Sequence, residues 1–345
     1  MLYVTTRTDR DAFTAHRAMT CGHGPAGGQF LPRQTPRFGA EDLRAGAGRS
    51  FNENIAWVLN RLYRCDLTGR DIELVAGARG AGLTDLTSRT IAAEIWRGSD
   101  CSFDDLVLRI FRLLVKDPGE TPSQWFIMSL RIAVFFAVFA ELTAEGLVSE
   151  QEPMDVALPS LDFQLPMAAW YARAWGLPIG HIICACNENN APWSLLHQGE
   201  MRTDTPLCHT VTVACDQAVP AGLERLIHAV LGTDEVRRYL AAVEAGRPYT
   251  LEPDQRDALR AGMSVWVVSQ RRMEFTVPNL YRAGRWQPDP YAAMAYTALE
   301  DHRSRAGDTG RALIISEESP VRSAELLARL LHTRAGELRR RLKNL

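Results

Sequence analysis

Lysine is almost absent from this sequence, although basic residues are common in it. The 345 residues include 39 basic side chains, of which Lys116 and Lys343 are lysines and the other 37 are arginines. The codon bias of a GC-rich genome explains an excess of arginine, but it does not explain the loss of a lysine that an active site needs. Chemistry that requires a lysine amine therefore has two side chains available to it.

The sequence also lacks an excess of charge and a long apolar segment. Its net charge of -2 favours neither nucleic acid nor a membrane as a partner, which leaves small molecules or proteins. The first residues contain no apolar signal-peptide core. The most apolar stretch, residues 132–140, has about half the length of a bilayer span. A buried helix and a cytoplasmic location are the predictions.

Cysteine is too scattered for a disulfide framework, since seven cysteines are spread along the chain. Cys184 and Cys186 form a C-x-C pair with Cys208 and Cys215 downstream, so a zinc site has to be considered. The surrounding HIICAC is a strand pattern, whereas structural zinc sites usually pair C-x-x-C knuckles on loops. Buried free thiols are the prediction, and no metal site is expected.

Short apolar runs alternate with helical patterns in the second half of the sequence. The predicted strands are MDVAL, HIICAC, HTVTVAC (209–215), SVWVVS and ALIIS, with helices near 165–176, 191–198, 220–231, 289–303 and 321–331. This alternation predicts an α/β fold with a mostly parallel sheet covered by helices on both faces. Such folds bind ligands in the loops at the carboxyl ends of the strands.

A small, mostly helical domain is predicted for residues 1–100, followed by the α/β domain at 101–345. Ser50 and Glu53 form a capping box at the start of one helix. The other elements predicted here are a strand at 2–6, a loop rich in glycine and proline at 22–36, and helices at 84–97 and 123–145. The last helix is apolar on all sides, so it is expected to be buried against the sheet or in a homodimer.

Several segments, taken in order, resemble the threonine synthase family. GPAGGQFLP (24–32) is similar to the family's N-terminal signature. The segment 158–200, which starts LPSLDFQLP and contains the Asn-Glu-Asn run of NENN, resembles its phosphate-loop strand and the elements that follow. Three further segments resemble later parts of the family's sequences, namely PAGLERLIHAV, QPDPYAAMAY and LIISEESPVRS. The first 100 residues fit the family's extra N-terminal domain.

The resemblance implies a fold type II pyridoxal phosphate (PLP) enzyme, similar to the tryptophan synthase β fold, that makes threonine from O-phosphohomoserine. The family's lysine lies in a Gly-Pro-Thr-x-x-Phe-Lys-Asp motif at the start of a helix. TPSQWFIMSL (121–130) aligns with this motif and places Ile127 where lysine belongs, and an isoleucine forms no imine. A register on Lys116 fails because PGETP follows and breaks the helix.

The phosphate loop of the family reads Thr-Gly-Asn-Phe-Gly-Asn, and its counterpart here contains no glycine. The aligned residues are Ser160, Leu161, Asp162, Phe163, Gln164 and Leu165. Bulky side chains replace both glycines, which let backbone N–H groups approach an anion closely. Asp162 also adds a negative charge where the phosphate would lie. The resemblance therefore implies a degenerate phosphate loop.

Two further departures concern the pyridine ring and a subdomain that clamps the cofactor. The family places a hydroxyl beside the pyridine nitrogen in a Ser-Thr-Ala-x-Pro segment, where this chain has SEESP (316–320) and thus Glu317. The family also inserts the clamping subdomain between its lysine motif and its phosphate loop. With Ile127 at the lysine position, residues 128–159 leave room for a helix and a linker, so that subdomain is predicted to be truncated.

The favoured interpretation is a threonine synthase-like protein that has lost PLP-dependent lyase activity and binds a protein or another small ligand. No cofactor is then expected. Polar residues that follow the predicted strands are the ligand-cleft candidates: Asn187, Glu188, Asn189, Asn190, Ser316 and Glu317. Helix capping and turn formation explain asparagine at such places equally well.

Two enzyme interpretations stay open at this point. In the first, the alignment is misread and the chain is a functional PLP-dependent threonine synthase. In the second, the enzyme uses no PLP and relies on a cluster of carboxylates that shift a pKa or hold a cation, made of Asp162, Glu188, Glu317 and Glu318. No ligand spacing such as H-x-x-x-H joins the nearby histidines, His181, His197 and His209.

Overall fold

Strands and helices alternate along most of the chain in the computed structural model, which describes residues 1–97, 102–149, 151–284, 286–307 and 310–342. The strands over these residues are β1 (Tyr3–Thr5), β2 (Thr8–Phe13), β3 (Phe30–Pro32), β4 (Leu83–Thr87), β5 (Thr90–Glu94), β6 (Met154–Pro159), β7 (Ile179–Cys186), β8 (Glu200–Met201), β9 (Tyr249–Thr250), β10 (Met263–Val267) and β11 (Ala312–Ser316). The helices are α1 (Ala15–Thr20), α2 (Ala40–Ala47), α3 (Phe51–Tyr63), α4 (Gly69–Ala76), α5 (Phe103–Leu114), α6 (Gln124–Ala144), α7 (Gln164–Trp175), α8 (Ala191–Trp193), α9 (Gly222–Leu231), α10 (Thr233–Glu244), α11 (Pro253–Arg260), α12 (Gln270–Gly284), α13 (Pro290–Ala306), α14 (Ala324–Leu330) and α15 (Ala335–Leu342).

Six strands form the central sheet in the order β10-β7-β6-β11-β5-β4. Neighbouring strands run parallel, except that β4 pairs antiparallel with β5 at one edge. Alternate strand residues face opposite sides: Val156 and Leu158 pack into a core with α7, whereas Ala157 packs into a second core with α13. The predicted α/β fold, with a mostly parallel sheet and helices on both faces, is confirmed.

The long apolar helix α6 forms the centre of the packing between the N-terminal helices and the sheet layer. The Ser123 side chain caps it by accepting a hydrogen bond from the backbone N–H of Phe126. Fifteen of its 21 residues are buried, against α2, α3 and α7 among others. By length and composition α6 could cross a membrane, but 78% of its most apolar window is buried inside the protein. Its apolarity on all sides is therefore explained by burial within the chain.

The connections on either side of α6 are short. Residues 115–123 join α5 to α6, and residues 145–153 join α6 to β6. Among the described residues of these connections there is no strand or helix. The truncation of a subdomain between Ile127 and the loop after β6 stays a prediction. The domain boundary predicted at residue 100 stays a prediction. The central sheet contains strands from both sides of that position, since β4 and β5 precede it and the other four strands follow it.

Two of the predicted elements are wrong. Residues 84–97 contain the hairpin β4–β5 in place of a helix, because Ile91 and its alanine neighbours fit the buried inner strand beside β11. Residues 209–215 contain no strand and include one 3₁₀ turn, Val213–Cys215. Hydrogen bonds to the side chains of Thr210 and Asp216 hold this segment in a loop.

Candidate functional site

A cleft opens at the carboxyl ends of β6 and β11, where an α/β fold places its ligand site. Its volume is about 400 Å³. The polar residues that line it are Ser102, Asp104, Arg131, Asp289, Tyr291, Glu317, Glu318 and Arg322. The apolar ones are Phe103, Pro159, Leu161, Leu165, Val213, Ala214 and Ile315. The walls thus come from α5, α6, the loop after β6, the segment before α9 and the segment after β11.

Arg131 on α6 and Glu317 after β11 form a bidentate ion pair in the wall of the cleft. Nε of Arg131 donates to Oε1 of Glu317 and Nη2 donates to Oε2, at 3.0 Å each. Both side chains are nearly buried, with 13% and 11% of their surface exposed. The carboxylate that was predicted beside a pyridine ring is therefore already engaged by a guanidinium, in the strongest geometry such a pair can adopt.

Asp289 is a buried carboxylate that fastens α13 to the end of β11. Its Oδ1 accepts hydrogen bonds from the backbone N–H groups of Tyr291 and Ala292, which caps α13. Its Oδ2 accepts from the hydroxyl of Ser316 at 2.5 Å, and Ser316 accepts from the indole N–H of Trp96 at 3.2 Å. Burial raises the pKa of Asp289, although these hydrogen bonds oppose the shift. Ser316, a predicted cleft residue, is 2% exposed and serves this network.

Glu318 lies at the rim of the cleft with a perturbed acidity. Burial raises the pKa of its carboxyl to about 7, and the negative charges of Asp289 and Asp104 act in the same direction against the opposing effect of Arg322. The group therefore changes its charge near neutral pH, which is uncommon for a glutamate.

The substitution Glu318→Gln should stabilise the protein relative to wild type as the pH rises from about 5 to about 8. A carboxyl whose pKa is raised by folding contributes most at low pH, where it is protonated, and this contribution is lost as pH rises through the folded pKa. Thermal melts at both pH values measure the difference. Glu325→Gln, at an exposed glutamate of α14, is the matched control, and an equal response of both variants would contradict the assignment.

The degenerate phosphate loop follows β6 and has a left-handed backbone without glycine. The angle φ is +41° at Leu161, +58° at Asp162 and +60° at Phe163, in a region that suits glycine better than other residues. Phe163 is fully buried. The Asp162 carboxylate accepts a hydrogen bond from the backbone N–H of Ala221 at 2.7 Å, next to the start of α9. Both side chains thus serve neighbouring structure.

Two backbone hydrogen-bond donors of this loop are directed at protein atoms. The backbone N–H of Ser160 donates to the carbonyl of Ala185 at 2.8 Å, and that of Gln164 donates to the carbonyl of Leu161. The Ser160 hydroxyl and the Leu161 backbone also face the thiol of Cys215, whose pKa burial raises to about 11 in spite of them. A phosphate group at these two donors would compete with the Ala185 and Leu161 carbonyls, so they do not fit the phosphate of PLP.

Asn187 and Asn189 hold the loop at 208–216, which forms one wall of the cleft. Asn187 donates to Asp216 at 2.7 Å and to the Thr210 hydroxyl at 2.9 Å, and Asn189 donates to Asp216 at 3.0 Å. The two asparagines are 1% and 8% exposed. Neither is among the described residues that line the cleft, and the hydrogen bonds of both agree with the alternative of turn formation.

Glu188, Asn189 and Asn190 border a separate cavity of about 240 Å³. The Glu188 carboxylate accepts a hydrogen bond from the backbone N–H of Gln270 at 2.8 Å, at the start of α12. None of the four residues predicted as one polar ligand cluster, Asn187 to Asn190, is among the described residues that line the cleft.

The structure brings two of the four residues of the predicted carboxylate cluster to the cleft. Glu317 and Glu318 lie at the cleft, but Asp162 and Glu188 bind the N–H groups at the starts of α9 and α12. In the part of the chain that the structure describes, no group of three histidine, cysteine or acidic side chains could hold a metal ion. Cys184, Cys186 and Cys215 are buried free thiols, as predicted, whereas Cys208 is exposed.

Ile127, the residue predicted at the lysine position, is not among the described residues that line the cleft. It lies in the first turn of α6 and packs against the main core. Asp104, in the first turn of α5, does line the cleft. Lys116 lies exposed after α5 with its Nζ 3.5 Å from the carbonyl of Arg112, and Lys343 lies outside the described residues.

Sequence reasoning missed four charged residues of the cleft, namely Asp104, Arg131, Asp289 and Arg322. Asp289 stands in the segment QPDPYAAMAY, whose resemblance to a family segment could have pointed to this residue as part of the site. Asp104 stands between Phe103 and Asp105, a spacing that matches the end of the family's lysine motif. The two arginines carried no local signal, because arginine is so common in this chain.

Comparison with solved structures places this fold among known proteins. The PLP-bound threonine synthase of Brucella melitensis matches with a TM-score of 0.81 and 16% identity, over 96% of this chain and 91% of that chain. Yeast threonine synthase matches with a TM-score of 0.83 and 14% identity, over 100% and 94%. The chain therefore has the threonine synthase fold.

Sequence comparison gives the particular relationship. No protein-family model matches. Threonine synthase-like 1 of Pongo abelii is 24% identical over 196 residues, 56% of this chain, and the human protein is 23% identical over 175 residues. Threonine synthase of Methylobacillus glycogenes is 26% identical over 131 residues. The chain is thus a threonine synthase-like relative, and the match spans 26% of the Pongo abelii protein and 23% of the human one.

Proposed function

We propose that this chain has lost PLP-dependent lyase activity and binds a small ligand of another kind in the cleft. Asp104 is the observation that carries this proposal. The motif Gly-Pro-Thr-x-x-Phe-Lys-Asp fits GSDCSFDD (98–105) at its first, sixth and eighth positions, and α5 begins at Phe103. On this register Asp104, and not Ile127, occupies the lysine position. A carboxylate forms no imine, so the loss of the covalent step remains the conclusion.

The charge of the cleft supports the same proposal. Four carboxylates line it, from Asp104, Asp289, Glu317 and Glu318, against the guanidinium groups of Arg131 and Arg322. With more acidic than basic side chains, the cleft repels a phosphate dianion electrostatically. Arg131 pairs with Glu317, and Asp289 is buried. The charged groups left for a ligand other than PLP are those of Asp104, Glu318 and Arg322.

Aligning the family's lysine with Asp104 in place of Ile127 also changes where along the chain the clamping subdomain would be missing. With Asp104 at the lysine position, the clamping subdomain would be missing between α5 and α6, where residues 115–123 form the connection. The short KDPGETP linker then replaces the subdomain. Seven cysteines without a disulfide pattern suit a reducing compartment, so the proposal includes a cytoplasmic location.

Labelling with PLP as an aldehyde probe, followed by borohydride reduction and peptide mapping, tests the proposal. We expect no saturable labelling of wild type in the cleft, because Lys116, the lysine within the described residues, lies outside it. Asp104→Lys should acquire a label at residue 104, whereas Ile127→Lys should not at residue 127, since its side chain packs against the core.

Two outcomes would contradict the proposal. Threonine formation from O-phosphohomoserine by wild type with added PLP would show that the activity survives. Preferential labelling of the Ile127→Lys variant would indicate that Ile127 on α6, and not Asp104, corresponds to the family's lysine. Circular dichroism of both variants verifies that each keeps the native fold before the labelling is compared.

A further inference from the structure

A second groove lies along β10, the edge strand of the central sheet, and shares no described lining residue with the cleft. Its volume is about 620 Å³. Its walls carry flat rings and cationic groups, from His181, His197, Trp266, His302, Arg260 and Arg305. These residues come from β7, the turn after α8, β10, and the ends of α11 and α13. We call it the β10-edge groove.

The rings of the β10-edge groove are held in fixed orientations. The Ser264 hydroxyl accepts a hydrogen bond from the indole N–H of Trp266 at 3.1 Å and lies 3.3 Å from Nδ1 of His302. His302 stacks on His181, with ring centroids 4.8 Å apart and an angle of 20° between planes. His197 is fixed by the carbonyl of Val265 at 2.9 Å. The surface therefore presents preorganised aromatic faces.

Two arginines bring positive charge to the same groove. The guanidinium of Arg305 lies 5.4 Å from the ring centre of Trp266, and Arg260 and Arg305 are both near enough to His197 to help lower its pKa, after the larger effect of burial. Among the described residues, neither guanidinium has a carboxylate partner. Asp257, which also borders the groove, is engaged by Arg256 at 3.2 Å.

We propose that the β10-edge groove binds a nucleotide-like ligand, a flat heteroaromatic ring that carries a phosphate group. The ring stacks on the indole and imidazole faces, and the phosphate accepts hydrogen bonds from the planar forks of Arg260 and Arg305. Arginines without carboxylate partners beside oriented rings are the combination that this ligand class requires. A phosphate without a ring contacts only the arginines, and a ring without a phosphate contacts only the aromatic side chains.

Isothermal titration calorimetry with AMP, adenosine and inorganic phosphate as probes tests the proposal on the full chain. We expect AMP to bind, with adenosine and phosphate each at least about tenfold weaker, a loss of about 1.4 kcal/mol. Arg305→Ala and Trp266→Leu should each weaken AMP binding by about tenfold or more. Arg340→Ala, at an exposed arginine of α15 outside the groove, is the matched control and should leave binding unchanged.

Absence of AMP binding, or equal affinities for AMP, adenosine and phosphate, would overturn the proposal. Unchanged AMP binding in both groove variants would also overturn it, because the binding would then lie elsewhere. Arg305→Lys, which keeps the charge but removes the fork, gives a second variant that should fold like wild type and bind AMP more weakly. Thermal melts of each variant exclude loss of fold as the cause of a weaker titration.

Discussion

Replacing Gly222 with alanine should lower the free energy of unfolding by about 3 kcal/mol. Gly222 is the first residue of α9, and a Cβ there would lie 2.3 Å from the carbonyl oxygen of Phe163 and 2.5 Å from its carbonyl carbon. Backbone atoms cannot move aside as a flexible side chain can, so α9 or the loop after β6 has to shift. Urea denaturation of the variant measures the loss.

Gly336→Ala is the matched control for this prediction. A Cβ at Gly336 meets no atom within 4 Å, and the residue lies in α15, where alanine is favoured by roughly 0.5 to 1 kcal/mol over glycine. We expect this variant to be as stable as wild type or more stable. Equal stabilities of the two alanine variants would show that α9 does not press on the loop as the structure describes.

Replacing Asp216 with alanine should cost about 1 to 3 kcal/mol of stability. The buried carboxylate of Asp216 accepts hydrogen bonds from Asn187, Asn189 and both the hydroxyl and the backbone N–H of Thr210. Its removal takes this acceptor from the backbone N–H of Thr210 and one of several acceptors from each asparagine amide, in a site that water reaches poorly. The loop at 208–216 should also loosen, so proteolysis within this segment is expected to accelerate.

Asp204→Ala provides the comparison for Asp216, because Asp204 pairs with Arg202 on an exposed surface. Solvent screens that pair, so it should contribute little to stability. Asp216→Asn keeps one acceptor oxygen and should fall between wild type and the alanine variant. A loss at Asp216 as small as that at Asp204 would mean that the buried network does not hold the loop.

Much of the fold was predictable because its signals are local and strong. The apolar helix predicted at 123–145 is α6, and the strands MDVAL, HIICAC and ALIIS are buried strands of the sheet. A helix was predicted for segment 84–97 because its alanines and glutamate favour one. Pairing of β5 with β11 makes the segment a strand hairpin instead. The segment 209–215 has a strand's alternation, but the polar network around Asp216 holds it in a loop.

The candidate site was predictable only in part, for a different reason. Two segments fit the family's lysine motif in sequence, one around Phe126 and one around Phe103, and spacing alone does not choose between them. The choice depends on which helix starts at the cleft, and this is a property of the assembled sheet. Polar residues after strands, such as Asn187 and Glu188, were assigned to a ligand, although their hydrogen bonds serve loops and helix starts.

The left-handed loop at Leu161, Asp162 and Phe163 has a further consequence for the motions of the cleft. Each such residue costs roughly 1 to 2 kcal/mol relative to a right-handed one, and no glycine relieves this cost. The burial of Phe163 and the bond from Asp162 to the start of α9 must supply that free energy. The loop is thus held in this conformation by its neighbours, and we expect any displacement of α9 to loosen this part of the cleft as well.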